Sequence, residues 1–305
     1  MLGVANTNQQ DPISGSSIAK EGYLELSVPL LANTPFFKAL TLDGAVRYSD
    51  YDLFGGDWNY KLGADWVIND DIRLRGTYGT GFRIPNVPEL FGGVSEGNLT
   101  TTDPCSRYST SGNATLIANC QASRVPANYV QLGTTILTTV GGNQNLKPES
   151  SRTWTIGTVI RPKGLVPGLS LTADWFDIDI KDAIRAIPGS TKLAVCYATA
   201  NLAHPFCGDF TRSTLTGEVT YLSAQPINTG REQMNGLDLG LVYDRNVSGI
   251  GLTVDLNVTY LNKYVVMPFP GGAPIQFDGH IGGGNGGYAK WRGYGVITGR
   301  KDGFS

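Results

Sequence analysis

An all-β fold is predicted: an antiparallel, up-and-down segment of a transmembrane β-barrel. Three observations predict it. Apolar and polar positions alternate with a period of two, the segments that keep this alternation are about 10–15 residues long, and the connections between them alternate between short and long. Strict alternation argues strand with one apolar and one polar face. Strands in soluble proteins average about five or six residues, so the length favours a barrel over the competing soluble β-sandwich or solenoid.

The elements follow in chain order. Leu24, Leu26, Val28 and Leu30 oppose Glu25 and Ser27 in a strand over about 22–30. Leu42, Gly44, Val46 and Tyr48 oppose Asp43, Arg47 and Ser49, and Trp58, Tyr60, Leu62, Ala64 and Trp66 oppose Asn59, Lys61 and Asp65. Ile72, Leu74, Tyr78 and Phe82 face away from Arg73, Arg75 and Thr77. Trp154 to Ile160 is a fifth strand, closed by Pro162-Lys163-Gly164. In the sixth, Leu169, Leu171, Ala173 and Trp175 give way to Phe176, Ile178 and Ile180 one residue late, which predicts a β-bulge at Trp175-Phe176. Leu237 to Tyr243, Ile250 to Tyr260 and a less regular stretch over about 287–298 complete nine strands.

Composition narrows the class further. Lys and Arg number 24 against 26 Asp and Glu, a net charge of −2, so no basic surplus serves a nucleic-acid partner. Charged residues make up only 16%, where soluble domains carry about a quarter. No apolar run approaches the roughly 18 residues of a membrane helix. Short turns near 31–39, 69–71, 162–168 and 246–249 alternate with long connections at about 85–149, 186–230 and 267–287. Short periplasmic turns and long extracellular loops are the pattern of outer-membrane barrels, with an apolar band on lipid and a polar lumen. Nine is odd where bacterial single-chain barrels have even numbers. The expectation is therefore an extracellular loop remnant over 1–21 and a partial barrel over 22–305.

Two motifs carry a family resemblance. Residues 79–91 read Gly-Thr-Gly-Phe-Arg-Ile-Pro-Asn-Val-Pro-Glu-Leu-Phe, and residues 142–150 read Gly-Asn-Gln-Asn-Leu-Lys-Pro-Glu-Ser. With Arg47-Tyr48-Ser49-Asp50-Tyr51, Asp174-Trp175-Phe176-Asp177-Ile178 and Asn235-Gly236-Leu237-Asp238, the order resembles the TonB-dependent outer-membrane receptors over roughly 20–300. The resemblance implies part of a 22-stranded type of barrel in the outer membrane of a Gram-negative bacterium. It implies outer-membrane lipid, a plug domain, further strands and the TonB complex as partners. The implied role is energised uptake of a scarce nutrient: a ferric siderophore, cobalamin or an oligosaccharide. Neither plug nor TonB box is found in this sequence. A soluble or surface-attached adhesin or glycan-binding module is the alternative, as is a truncated product without activity of its own.

The motif residues Arg83, Pro85, Glu89, Leu90, Phe91, Asn145, Leu146, Lys147, Pro148 and Glu149 are expected at strand ends, because Pro85 and Pro148 cannot continue a ladder. Arg83 is placed to pair with Glu89 or Glu149 at the rim. Catalysis has no support. His204 and His280 stand in separate loops, Asp177, Asp179 and Asp182 read as a wet face, and Gly282 to Gly287 reads as a loop tip without a following helix or Lys. No enzyme activity and no cofactor is expected. Cys105/Cys120 and Cys196/Cys207 are close pairs in polar stretches, as disulfides of an oxidising compartment would be. A metal clip at Cys196, His204 and Cys207 is the competing reading, though Cys-x-x-Cys spacing is lacking. Tyr108, Tyr129, Tyr197, Phe206 and Phe210 are candidates either for ligand contact or for packing within the loops.

Overall fold

A computed structural model describes residues 11–269, 272–280 and 287–301. The parts of the expected loop remnant over 1–10, of the loop tip at Gly282 to Gly286 and of the expected barrel over 302–305 lie outside the described residues. In chain order the strands and helices are β1 (Ala19–Thr34), β2 (Phe37–Tyr51), β3 (Gly55–Val67), β4 (Ile72–Arg83), α1 (Val87–Phe91), β5 (Ser95–Thr100), α2 (Ala114–Ala122), β6 (Thr135–Val140), β7 (Glu149–Ile160) and β8 (Leu169–Lys181). There follow β9 (Ile184–Ala186), α3 (Gly189–Ala198), β10 (Phe210–Arg212), β11 (Val219–Ser223), β12 (Pro226–Asn228), β13 (Arg231–Val247), β14 (Ile250–Met267), β15 (Ile275–Gln276) and β16 (Trp291–Arg300).

The chain divides into two compact units, one built from the long strands and one from residues 1–16, 85–147 and 184–228. In the first, the strands pair in the order β1-β2-β3-β4-β7-β8-β13-β14, with β15 and β16 both on the far side of β14. Every pairing in this sheet is antiparallel. Nine long strands, β15 aside, match the predicted number. Among the described residues β1 pairs only with β2 and β16 only with β14, so the sheet is open.

Register turns the sequence pattern into faces, because residues directly opposite one another share a side of the sheet. Leu42 stands opposite Val28 and Ala64, Trp66 opposite Leu74, Ile156 opposite Trp175, and Leu237 opposite both Trp175 and Tyr260. One apolar face therefore runs unbroken across the strands. Leu62 and Ile156 on it are each 59% exposed, a contiguous apolar surface that water does not tolerate and lipid does. An aromatic row borders this face towards the long connections: Tyr48 on Trp58 (4.8 Å), Tyr78 on Trp154 (4.4 Å) and Tyr260 on Trp291 (4.6 Å). Towards the short turns, Phe37 stacks on Trp66 at 5.0 Å, and the Trp66 indole donates to the Phe36 carbonyl at 2.8 Å. Trp58 and Trp66 are eight residues apart on β3, about 26 Å of strand, a separation of the order of a hydrocarbon layer's thickness.

The opposite face is polar, and its charges are paired across strands. Arg75 bonds Asp174 at 2.8 and 2.6 Å, Arg73 bonds Asp65 through two nitrogens, and the Thr77 and Thr155 hydroxyls meet at 2.6 Å. Two connections are only two residues long, Pro35-Phe36 between β1 and β2 and Ser248-Gly249 between β13 and β14; in the second, φ is 54° and 82° and the Asn246 carboxamide accepts from the Gly249 amide at 3.0 Å. Two successive left-handed residues match the twist of the strands they join.

The bulge expected at Trp175-Phe176 is absent. The register of β8 with β7 and with β13 passes unbroken through both residues. The faces exchange polarity instead: Asp177 and Asp179 continue the Trp175 side, while Phe176 and Ile178 turn to the other, where Ile178 stands opposite Met234. Met234 belongs there to a small core of Leu261, Tyr264 and Val266 that also takes Phe277 and Tyr288. Beyond the aromatic row the outer side is wet and the inner side is covered, so the hydrophobic demand reverses without a change in pairing. The true irregularities are at Leu30, skipped beside Pro29, which has no amide proton to donate, and at Asn262, skipped opposite Asn235-Gly236. Gly236 is required there, because a Cβ would lie 2.8 Å from the Phe176 ring and 2.4 Å from the Tyr260 carbonyl.

Candidate functional site

The motif residues terminate strands. Arg83 ends β4 and Glu149 begins β7 directly opposite it, joined by two bonds of 2.7 and 2.6 Å. Pro85 is buried, and the chain enters α1 through a capping box in which Asn86 accepts from the Glu89 amide and Glu89 from the Asn86 amide, both at 2.8 Å. Leu90 is buried, and the Phe91 ring lies so close to Gly15 that a Cβ there would be 2.3 Å from it. Asn145 donates its amide to the Asn143 side chain, and Leu146 is buried. Lys147 is bracketed by Asn228, which accepts from its amide (2.8 Å) and donates to its carbonyl (2.7 Å). Pro148 immediately precedes β7.

The segments expected as loops form a folded unit of their own. Its strands order as β10-β11-β6-β5, with β9 paired separately to β12. Asn119 on α2 donates to the Tyr197 and Thr199 carbonyls at 2.9 and 2.8 Å, tying one long connection to the other. Cys105 is bonded to Cys120 and Cys196 to Cys207, with Cα separations of 5.8 and 5.1 Å. With both sulfurs committed, Cys196 and Cys207 do not clip a metal. His204 instead accepts from the Phe206 amide at 3.2 Å. Tyr108, Tyr129 and Tyr197 are core residues packed with Leu193 and Leu222, and Phe210 lies against that core. Phe206 is 5% exposed. All five pack within this unit, and Tyr129 also lines its cleft.

An ion pair that the sequence did not reveal lies at the centre of this unit. Arg212 reaches Asp103 through two nitrogens at 2.6 and 2.9 Å, with side chains only 6% and 1% exposed. Asp103 also accepts from the Tyr129 hydroxyl (3.0 Å) and the Cys105 amide (2.9 Å). Arg212 lies over the Tyr197 and Tyr129 rings. Burial, reinforced by the Asp103 carboxylate, pushes the Tyr129 phenol well above its usual range. Lys192 is equally buried, and its ammonium meets Asp209 at 2.7 Å and the Ser223 carbonyl at 2.8 Å. Both of these buried cations thus have a carboxylate partner.

A ligand-sized cleft of about 310 Å³ lies in this unit where β6 and β11 diverge, lined by Gln131, Thr135, Glu218 and Thr220 over Tyr129. The two strands pair only at Leu222–Thr138 and Ser223–Thr139, which leaves their other ends apart. Replacing Cys105 and Cys120 by Ser is expected to cost roughly 3 kcal/mol for a loop of this size. The check is faster limited proteolysis between 105 and 125; an unchanged cleavage rate contradicts it.

A wide, open antiparallel sheet with one lipid-suited face, one ion-paired face and folded long connections is the architecture of a segment of an outer-membrane type of β-barrel. The family model "TonB dependent receptor-like, beta-barrel" matches residues 3–302. The chain belongs to the TonB-dependent receptor β-barrel family, whose members are outer-membrane transporters of Gram-negative bacteria and not enzymes. Similar solved structures include the siderophore receptor PirA from Acinetobacter baumannii, at 19% identity and a TM-score of 0.46 over 82% of this chain and 29% of that one. Another is the ferric enterobactin receptor PfeA from Pseudomonas aeruginosa, at 16% identity and 0.47 over 80% and 27%. The RagAB peptide importer follows at 15% and 0.40 over 74% and 20%. The chain thus spans less than a third of the length of each of these structures.

Proposed function

We propose that this chain serves, in the outer membrane, as barrel wall and ligand-facing loops of a receptor for TonB-energised uptake of a scarce nutrient. The nutrient class is a ferric siderophore, cobalamin or an oligosaccharide. The family match over residues 3–302 carries this reading. The apolar face between two aromatic belts supports the placement in lipid, and the stapled loop unit with its polar cleft supports capture of a hydroxyl- or amide-rich ligand. A plug domain, further strands and the TonB complex are the partners, and the strand-end motif from Arg83 to Phe91 and Asn145 to Glu149 is their scaffold rather than a ligand contact.

Deleting the gene and following uptake of labelled ferric siderophores, cobalamin and maltooligosaccharides tests this. Uptake of one class is expected to fall at least tenfold and to return with the gene. Thr135→Trp, which fills the cleft, is expected to raise the half-saturating concentration while leaving barrel assembly unchanged. Undiminished uptake of all three classes by the deletion strain overturns the reading.

A further inference from the structure

The lipid-facing side of β7, β8, β13 and β14 is built in rows, and its chemistry changes abruptly from one row to the next. Thr158, Ala173, Leu239 and Val258 stand opposite one another in the apolar band. Small side chains at Thr158 and Ala173, between Ile160, Leu171, Leu241 and Leu256, leave a groove of about 430 Å³ with almost wholly apolar walls. Two residues further along each strand is the row Ile156, Trp175, Leu237 and Tyr260, with Trp154 beyond it on β7. Above the aromatic residues the same face turns cationic: Arg152 stands opposite Asp179, and Lys181 opposite Arg231.

Asp179 is only 6% exposed and holds both arginines. It accepts from Arg152 at 2.8 Å and from Arg231 at 2.7 Å, with a second bond from the Arg231 Nε. One carboxylate therefore fixes two guanidinium groups side by side, each with five N–H donors in a rigid fork. The Arg152 side chain is 53% exposed even though it bonds Asp179. Arg152, Lys181, Arg231 and Lys263 against Asp177 and Asp179 give this outer patch two net positive charges. From Ala173 to Asp179 is six residues, about 20 Å of strand. That spans the step from inside a leaflet, roughly 15 Å deep, to its headgroups.

We propose that this face holds one phosphorylated lipid of the outer leaflet, its phosphate on Arg152 and Arg231 and an acyl chain along the groove at Ala173. Charge complementarity selects the occupant: paired guanidinium forks match a phosphate bidentately, and the groove lies where only a lipid tail reaches it. Lys181 adds a third cation to the headgroup, and the Trp154 and Trp175 rings mark the glycerol or sugar level. This proposal rests on the outer-membrane reading above.

The test is native mass spectrometry on the protein extracted from outer membranes in non-ionic detergent. The probes are bis-phosphorylated lipid A, its dephosphorylated form and phosphatidylcholine. The expected result is retention of the phosphorylated lipid, at least tenfold weaker retention of the other two, and no displacement by excess inorganic phosphate. Arg152→Gln with Arg231→Gln is expected to abolish the preference while heat-modifiable migration on gels shows an intact barrel. Ala173→Trp, distant from the arginines, is expected to weaken retention of all three lipids. Equal retention of phosphorylated and dephosphorylated lipid, or a double variant that binds like the parent, overturns the lipid site and leaves the uptake reading standing. Recovery of the protein in the soluble fraction without detergent overturns both.

Discussion

Asp103→Ala is expected to destabilise the loop unit by roughly 3–5 kcal/mol, the cost of leaving one partner of a buried ion pair uncompensated. The Arg212 guanidinium would keep its burial and its bonds to the Gly217 carbonyl and the Tyr197 hydroxyl but lose both bonds to a carboxylate, and the Tyr129 hydroxyl and Cys105 amide would lose an acceptor in the same step. Asp103 and Arg212 are 109 residues apart, on different long connections, so the loss should loosen both at once. Hydrogen exchange of amides in β6 and β11 reads this, with both elements expected to exchange together. A double variant, Asp103→Leu with Arg212→Met, separates charge from shape. Replacing a buried pair by apolar residues of similar volume is often neutral, so the double variant should be more stable than the single. A single variant within 1 kcal/mol of the parent contradicts the argument.

Leu171→Arg is expected to cost roughly 2–4 kcal/mol in a bilayer, the range for a cation on the lipid face near mid-depth. Leu171 lies opposite Ile160 and Leu241 on the apolar face, where an arginine finds neither water nor an acidic partner. Asn257→Arg is the matched control. Asn257 points to the polar side and donates to Asp255 at 2.7 Å, so an arginine there meets a carboxylate and water. Urea unfolding in lipid vesicles should separate the two variants by at least 2 kcal/mol. A soluble sheet in water would show the two substitutions as similar surface changes, within about 0.5 kcal/mol.

The sheet was legible because its information is local. Alternation at Trp58 to Trp66 or Leu237 to Tyr243 states a strand and its faces within a few residues, and Pro148 marks a strand start by chemistry alone. Cys105 and Cys120 sit close enough in sequence for their bond to be read from spacing. The loop unit was not legible, since its core joins Asn119 to Tyr197 and Asp103 to Arg212 across 78 and 109 residues. Nothing in the sequence neighbourhood of Arg212 announces burial. The exchange of faces at Trp175-Phe176 was visible as a slip in phase, but alternation alone does not separate an extra residue from a change of surroundings. The charged residues Asp177 and Asp179, following Trp175 at two-residue spacing, were the signal that favours the second.

The two-residue turn at Ser248-Gly249 has a consequence for how the chain assembles. β13 and β14 are 17 and 18 residues long and their ladder starts at Val247–Ile250, so the first contact closes almost no loop. The β4–β7 ladder instead joins Arg83 to Glu149 across 66 positions. Closing that excursion rather than two residues costs about 3 kcal/mol more in chain entropy, by logarithmic scaling with length. Hairpins form in about 1–10 microseconds, which makes β1–β2 and β13–β14, each closed by a two-residue turn, the natural nuclei, and β4–β7 the late seam. Bonding Cys105 to Cys120, 15 positions apart, takes that stretch out of the excursion the seam must close, a gain of only about 0.2 kcal/mol on the same scaling, so the seam stays late whether or not that bond has formed.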